Sequence, residues 1–173
     1  CRRSSARYPL VILDALGGSD FPFHLVTREG LAAIGDRVSE NGILALAIVT
    51  RGWQDPVLRS LAAGLHGRFR TVLALPTSEP PNAVGSVVLL ASNRSLDLPD
   101  ERLPQPTDFL MNLDEHWQVV QMNHAWFNRF EPRAAGAVIL TDDRNPIDLW
   151  SDAVECDARS ELHASFARGP RSW

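Results

Sequence analysis

Four continuous apolar runs divide the chain, and apolar residues at helical spacing fill the intervals between the first three. The runs are Pro9 to Asp14 (PLVILD), Ile43 to Val49 (ILALAIV), Thr71 to Leu75 (TVLAL) and Val84 to Ala91 (VGSVVLLA). Runs of this length and apolarity predict buried strands. Leu31, Ile34 and Val38 predict a helix of about four turns that Asn41-Gly42 would stop. Val57, Leu58, Leu61 and Leu65 predict a second helix, with Asp55 as N-cap, Pro56 at its first position and Gly67 at its end. Farther on, Asn112 to Asn123 reads as a helix, Ala125 to Phe130 is rich in aromatics, and Val138 to Leu140 is a brief apolar run. Thr141 to Pro146 then has the makings of an N-cap for a short helix over Ile147 to Trp150.

The order is therefore β-α-β-α-β-turn-β. Two strand-helix-strand crossovers imply three parallel strands. Residues 76–82 (PTSEPPN) are too few for a crossover, so the fourth strand must return antiparallel to the third. Parallel strands closed by such a hairpin predict an α/β, Rossmann-like fold of the class I methyltransferase type. Nothing before Pro9 can pair with the first strand, and the chain opens on Cys1 instead of a methionine. The expectation is the C-terminal half only of such a fold, over residues 1–92, with half its ligand crevice supplied from upstream. Residues 93–173 form a linker, rich in proline and charge at 93–106, and a C-terminal appendage. Trp117, Trp126, Phe127 and Phe130 are expected to pin that appendage to the core.

Composition narrows the function classes. The chain has 173 residues, 45% hydrophobic and 22% charged, with a formal net charge of -4. That is enough to bury a core, and it leaves no basic field for nucleic acid. Two cysteines, Cys1 and Cys156, stand outside any CxxC pattern, which disfavours a disulfide framework or a zinc site and suits a reducing, cytoplasmic compartment. No apolar run approaches the roughly 18 to 20 residues that span a bilayer. His66, His116, His124 and His163 share no metal-ligand spacing, and neither GxSxG nor HExxH occurs, so no metal is expected.

The candidate chemistry gathers after the first strand. Asp14 ends that strand, where doubly wound folds place ligand-binding groups, although an aspartate there also serves to cap the following loop. Asp20 and His24 flank Phe21-Pro22-Phe23 in the same loop and are placed to face the crevice mouth. Gly17-Gly18 lacks the surroundings of a phosphate cradle and reads as turn chemistry. No residue is assigned to nucleotide binding.

Several segments together resemble the spermidine synthase-like family, especially its bacterial branch often joined to a membrane domain. They are LVILDALGGSDFPFHLVTREGL, SENGILALAIV, LAAGLHGRFRTVLALPTSEPPNAVGSVVLLAS and LTDDRNPIDLW, in that order over roughly residues 8–154. The resemblance implies an aminopropyltransferase that uses decarboxylated S-adenosylmethionine as co-substrate and a polyamine such as putrescine as acceptor. Asp14 takes the place of the family's catalytic base. A second aspartate, three residues later in the family, corresponds only loosely to Asp20, six residues on. His24 and Asp143, the latter in the TDDRNP signature, join Asp20 as candidate substrate-binding residues. The family's glycine-rich nucleotide loop would lie upstream, so this stretch alone is expected to be inactive. The same fold also admits an S-adenosylmethionine-dependent methyltransferase or a non-catalytic member. A homo-oligomer and, in the parent protein, attachment at the cytoplasmic face of a membrane are further expectations from the resemblance.

Overall fold

A computed structural model describes residues 5–16, 22–77, 81–96 and 113–147, together with 150, 152, 153, 156, 157, 159, 160, 163 and 164. Along it run β1 (Tyr8–Leu16), α1 (Arg28–Gly35), β2 (Val38–Thr50), α2 (Pro56–His66), β3 (Thr71–Pro76), β4 (Gly85–Ser92) and α3 (Leu113–Phe127). A 3-10 turn, Phe23–Leu25, precedes α1. Gly17, Gly18, Asp20 and most of the proline-rich stretch, 97–106, lie outside the described residues.

The strands form one four-stranded sheet in the order β1-β2-β4-β3. β1 and β2 are parallel, and β4 is antiparallel to both of its neighbours. β3 therefore points the same way as β1 and β2, as two helical crossovers require. The crossover through α2 leaves a gap one strand wide beside β2, and β4 fills it. This mixed α/β arrangement is compatible with a Rossmann-like fold.

Local sequence accounts for the helix boundaries. Asp55 accepts hydrogen bonds from the Arg51 N–H (2.8 Å) and the Val57 N–H (2.7 Å), and Pro56 opens α2 where no donor is needed. The first helix is shorter than its spacing suggests. α1 ends at Gly35, and the chain enters the sheet two residues later, where the Tyr8 N–H donates to the Arg37 carbonyl at 2.7 Å. Val38 thus belongs to β2, not to the helix. Asn41-Gly42 is no helix stop but an irregularity inside β2, where the pairing jumps from Tyr8↔Val38 to Leu10↔Ile43. Gly42 fits there because a side chain would collide with Val38, Ser39 and the Pro9 carbonyl, and its own carbonyl accepts the Ser92 hydroxyl (2.9 Å).

One face of the sheet carries the core. Leu44, Leu46 and Ile48 of β2, with Leu89 of β4, are buried against Leu31 of α1 and Leu58 of α2. Leu140 and Ile147 from the C-terminal segment join the same cluster. The opposite face is apolar too, yet it keeps contact with solvent. Leu10 and Ile12 of β1 are 53% and 66% exposed. Ala45, Leu90 and Leu73 continue their row across the sheet and are only half-buried.

The two sheet margins differ. At β3, Ala74 and Phe130 exchange backbone hydrogen bonds of 2.8 and 3.0 Å, and Phe130 stacks on Trp53 with centroids 5.6 Å apart. At β1, no further strand pairs among the described residues. The expected aromatic cluster divides accordingly: Phe130 packs on the core, whereas Trp117 and Phe127 are exposed and Trp126 lies under the Arg129 guanidinium, 5.2 Å away. The helix predicted near residue 112 runs to Phe127, because nothing between Asn123 and Phe127 interrupts it.

Candidate functional site

The carboxyl ends of β1 and β2, together with the start of α1, form the end of the molecule where parallel α/β sheets bind ligands. Asp14 does not end β1, which continues two residues further to Leu16; it is exposed and lies within the interval where the pairing with β2 shifts, between Leu13↔Leu46 and Leu16↔Ile48. Beside it, the loop leaving β2 is held by Asp55. An ion pair of 2.6 Å between Arg51 and Asp157 ties the C-terminal segment to that loop.

The chain resumes at Pro22, whose carbonyl accepts the Leu25 N–H at 2.8 Å to close the 3-10 turn. His24 sits on that turn with its side chain exposed. Thr27 follows, fully buried, as the N-cap of α1, its hydroxyl accepting from the Gly30 N–H at 3.0 Å. Gly30 is dictated by close approach: a Cβ there would lie 2.2 Å from the His24 carbonyl oxygen. The turn that carries His24 therefore rests directly on the first turn of α1.

The TDDRNP segment reaches the same place from the other end of the chain. Thr141 and Arg144 exchange backbone hydrogen bonds of 3.0 and 3.1 Å, so Asp142 and Asp143 form the tip of a closed turn. Asp142 accepts the Thr27 hydroxyl at 2.7 Å, and its N–H donates to Glu29 at 3.3 Å. The Arg28 N–H donates to the Leu140 carbonyl at 2.8 Å. Glu29 is held below the ordinary carboxylate range, first by its own backbone N–H, against some loss of solvent, with Arg28 and the Asp142 N–H adding to the effect. The capping expectation also holds within this segment: the Asn145 side chain accepts the Ile147 N–H at 3.2 Å, and Trp150 N–H reaches the Pro146 carbonyl.

Of the residues singled out in the sequence, the structure thus brings together the His24 turn and the turn carrying Asp143, through Thr27. Asp143 itself is exposed at the tip. Asp14 stands on the strand before them, and Asp20 lies outside the described residues. Thr27, Glu29 and Asp142 were not singled out. The signal for Thr27 is local, a threonine just ahead of the apolar positions Leu31 and Ile34. The partnership with Asp142 spans 115 positions and has no local signal. Among the described residues, no three His, Cys, Asp or Glu side chains are grouped to hold a metal ion, and no helix is long and apolar enough to cross a membrane.

No family model and no curated protein matches the chain. Among solved structures, a probable spermidine synthase from Corynebacterium glutamicum ATCC 13032 is similar to it, at 19% identity with a TM-score of 0.46. The similarity covers 53% of this chain and 33% of that one, so the chain matches about a third of the length of its neighbour.

Proposed function

We propose that the chain is the C-terminal half of a spermidine synthase-like transferase, in which Asp14 is the base and the amine is seated beside the His24 turn. The observation that carries this reading is the state of β1. It is a parallel strand with an unpaired outer side among the described residues, an apolar row still open to solvent, and a carboxylate near its carboxyl end. An apolar strand of this kind is normally covered on both faces. Completed by strands and helices from upstream, it becomes interior, and Asp14 then borders the crevice at the strand ends.

The chemistry suits a carboxylate. An alkyl amine has a pKa of about 10, so it arrives as ammonium and must lose a proton before it can attack. Asp14 first pairs with the cation and then accepts the proton. The nitrogen lone pair forms the new C–N bond to the aminopropyl carbon of decarboxylated S-adenosylmethionine. The C–S bond breaks with its electrons passing to sulfur, which departs as a neutral thioether and needs no general acid. Positioning supplies much of the remaining acceleration. Asp20, His24 and Asp143 are the acceptor-side residues in this reading, and the nucleotide is held by upstream residues.

The test is product analysis of the full-length gene product, given putrescine with either decarboxylated S-adenosylmethionine or S-adenosylmethionine. Aminopropyl transfer is expected, and Asp14→Asn lowers kcat by about 100-fold or more. Methyl transfer, or a variant as active as the parent, overturns the assignment.

A further inference from the structure

The TDDRNP turn contacts the start of α1 through Asp142, and that contact reaches the segment that holds His24. The Thr27 hydroxyl has one proton and two acceptors within reach, Asp142 Oδ1 at 2.7 Å and the His24 carbonyl at 3.2 Å. The shorter, charge-assisted bond takes the proton. With the proton committed to Asp142, a lone pair of the hydroxyl is left aimed at the Gly30 N–H, the donor that the cap must satisfy. Two more hydrogen bonds, Arg28 N–H to Leu140 and Asp142 N–H to Glu29, lock the same two segments together.

The turn is itself firmly held. Leu140 and Ile147, on either side of it, are buried in the core, so the tip is carried to α1 by anchored ends. On the helix side, the His24 carbonyl rests against Gly30 with no room for a methyl group. A displacement of Thr27 is therefore passed to the 3-10 turn. The negative charge of Asp142 also lies at the end of α1 where the helix dipole favours it.

We propose that Asp142 is a positioning residue: through Thr27 it sets the place of residues 22–30, and with them His24, relative to the sheet. Its use in catalysis rests on the proposed function above; its hold on the segment does not. Hydrogen exchange on the chain tests the hold directly. Asp142→Ala and Thr27→Val are each expected to speed exchange of residues 24–31 by about tenfold or more, with β2 and β4 unchanged. Thr27→Ser, which keeps the hydroxyl, restores the parent rates, and the double variant Thr27→Val/Asp142→Ala is no faster than Thr27→Val alone. Glu131→Gln, at an exposed site on the segment before the turn, leaves exchange unaltered. Unchanged rates in Asp142→Ala, or a uniform increase throughout the sheet, overturn the proposal. In the full-length gene product, Asp142→Ala is expected to raise KM for the amine by about fivefold or more with kcat nearly unchanged. An equal fall in kcat with KM unchanged overturns the positioning role. Absence of transferase activity from the parent protein overturns the function proposed above, and exchange alone then decides the hold of Asp142.

Discussion

At the scale of single residues, the junction between the 3-10 turn and α1 depends on an absent side chain. Gly30 lies where the His24 carbonyl and the Leu25 backbone press on the helix, and all the atoms nearest a Cβ would be backbone. Backbone cannot rotate away as a side chain does. Alanine raises helix propensity and would stabilise an open site by up to about 1 kcal/mol. Here the collision outweighs that gain, and Gly30→Ala is expected to destabilise the chain by about 1–3 kcal/mol in urea denaturation. A stabilised variant would show that the turn does not rest on the helix. Thr27 was as legible as any cap, since threonine ahead of an apolar helical stripe is a common N-cap. Asp142 was not: in sequence, Asp142 and Asp143 are equivalent members of one polar run, and only the closed turn decides which faces Thr27.

At the scale of elements, β1 states the main tension in the molecule. Its sequence is that of a strand buried on both faces, while Leu10 and Ile12 stand more than half exposed, at 53% and 66%. Placing charge there costs the chain alone little. Leu10→Lys/Ile12→Lys is expected to change its stability by less than about 0.5 kcal/mol and to reduce self-association in light scattering. On the proposal that upstream strands and helices cover β1, the same pair in the full-length gene product is expected to lower the urea midpoint strongly, because two ammonium groups would enter that covered interface. An equally small effect in both proteins would make this face a true outer surface. The four strands and α2 were legible from their runs and from Asp55-Pro56. The end of α1 was not. Val38 continues the helical spacing of Leu31 and Ile34, but the hydrogen bond from Tyr8 to Arg37 draws the chain into the sheet first. A long-range pairing overrode a local period.

At the scale of the whole molecule, two segments far apart in the sequence, residues 27–29 and 140–142, meet at one place. The C-terminal segment is part of the core through Leu140 and Ile147, and it crosses back to the N-terminus of α1. Ile147 is 0% exposed, so Ile147→Ala is expected to cost about 2–5 kcal/mol in urea denaturation, as core truncations do. A loss below about 0.5 kcal/mol would mean that residues beyond α3 are not part of the cooperative unit.

The amino-acid order by itself determined the alternation of strands and helices, the direction of β4, and the carboxylate near the end of β1. Each follows from periods, caps and turn lengths that act within about a dozen residues. Only the tertiary structure decided that β4 lies between β2 and β3, that one apolar face of the sheet stays open, and that Asp142 instead of Asp143 meets Thr27. Those outcomes depend on which surfaces find one another across the chain, and a contact between residues 115 positions apart leaves no trace in the local pattern of either.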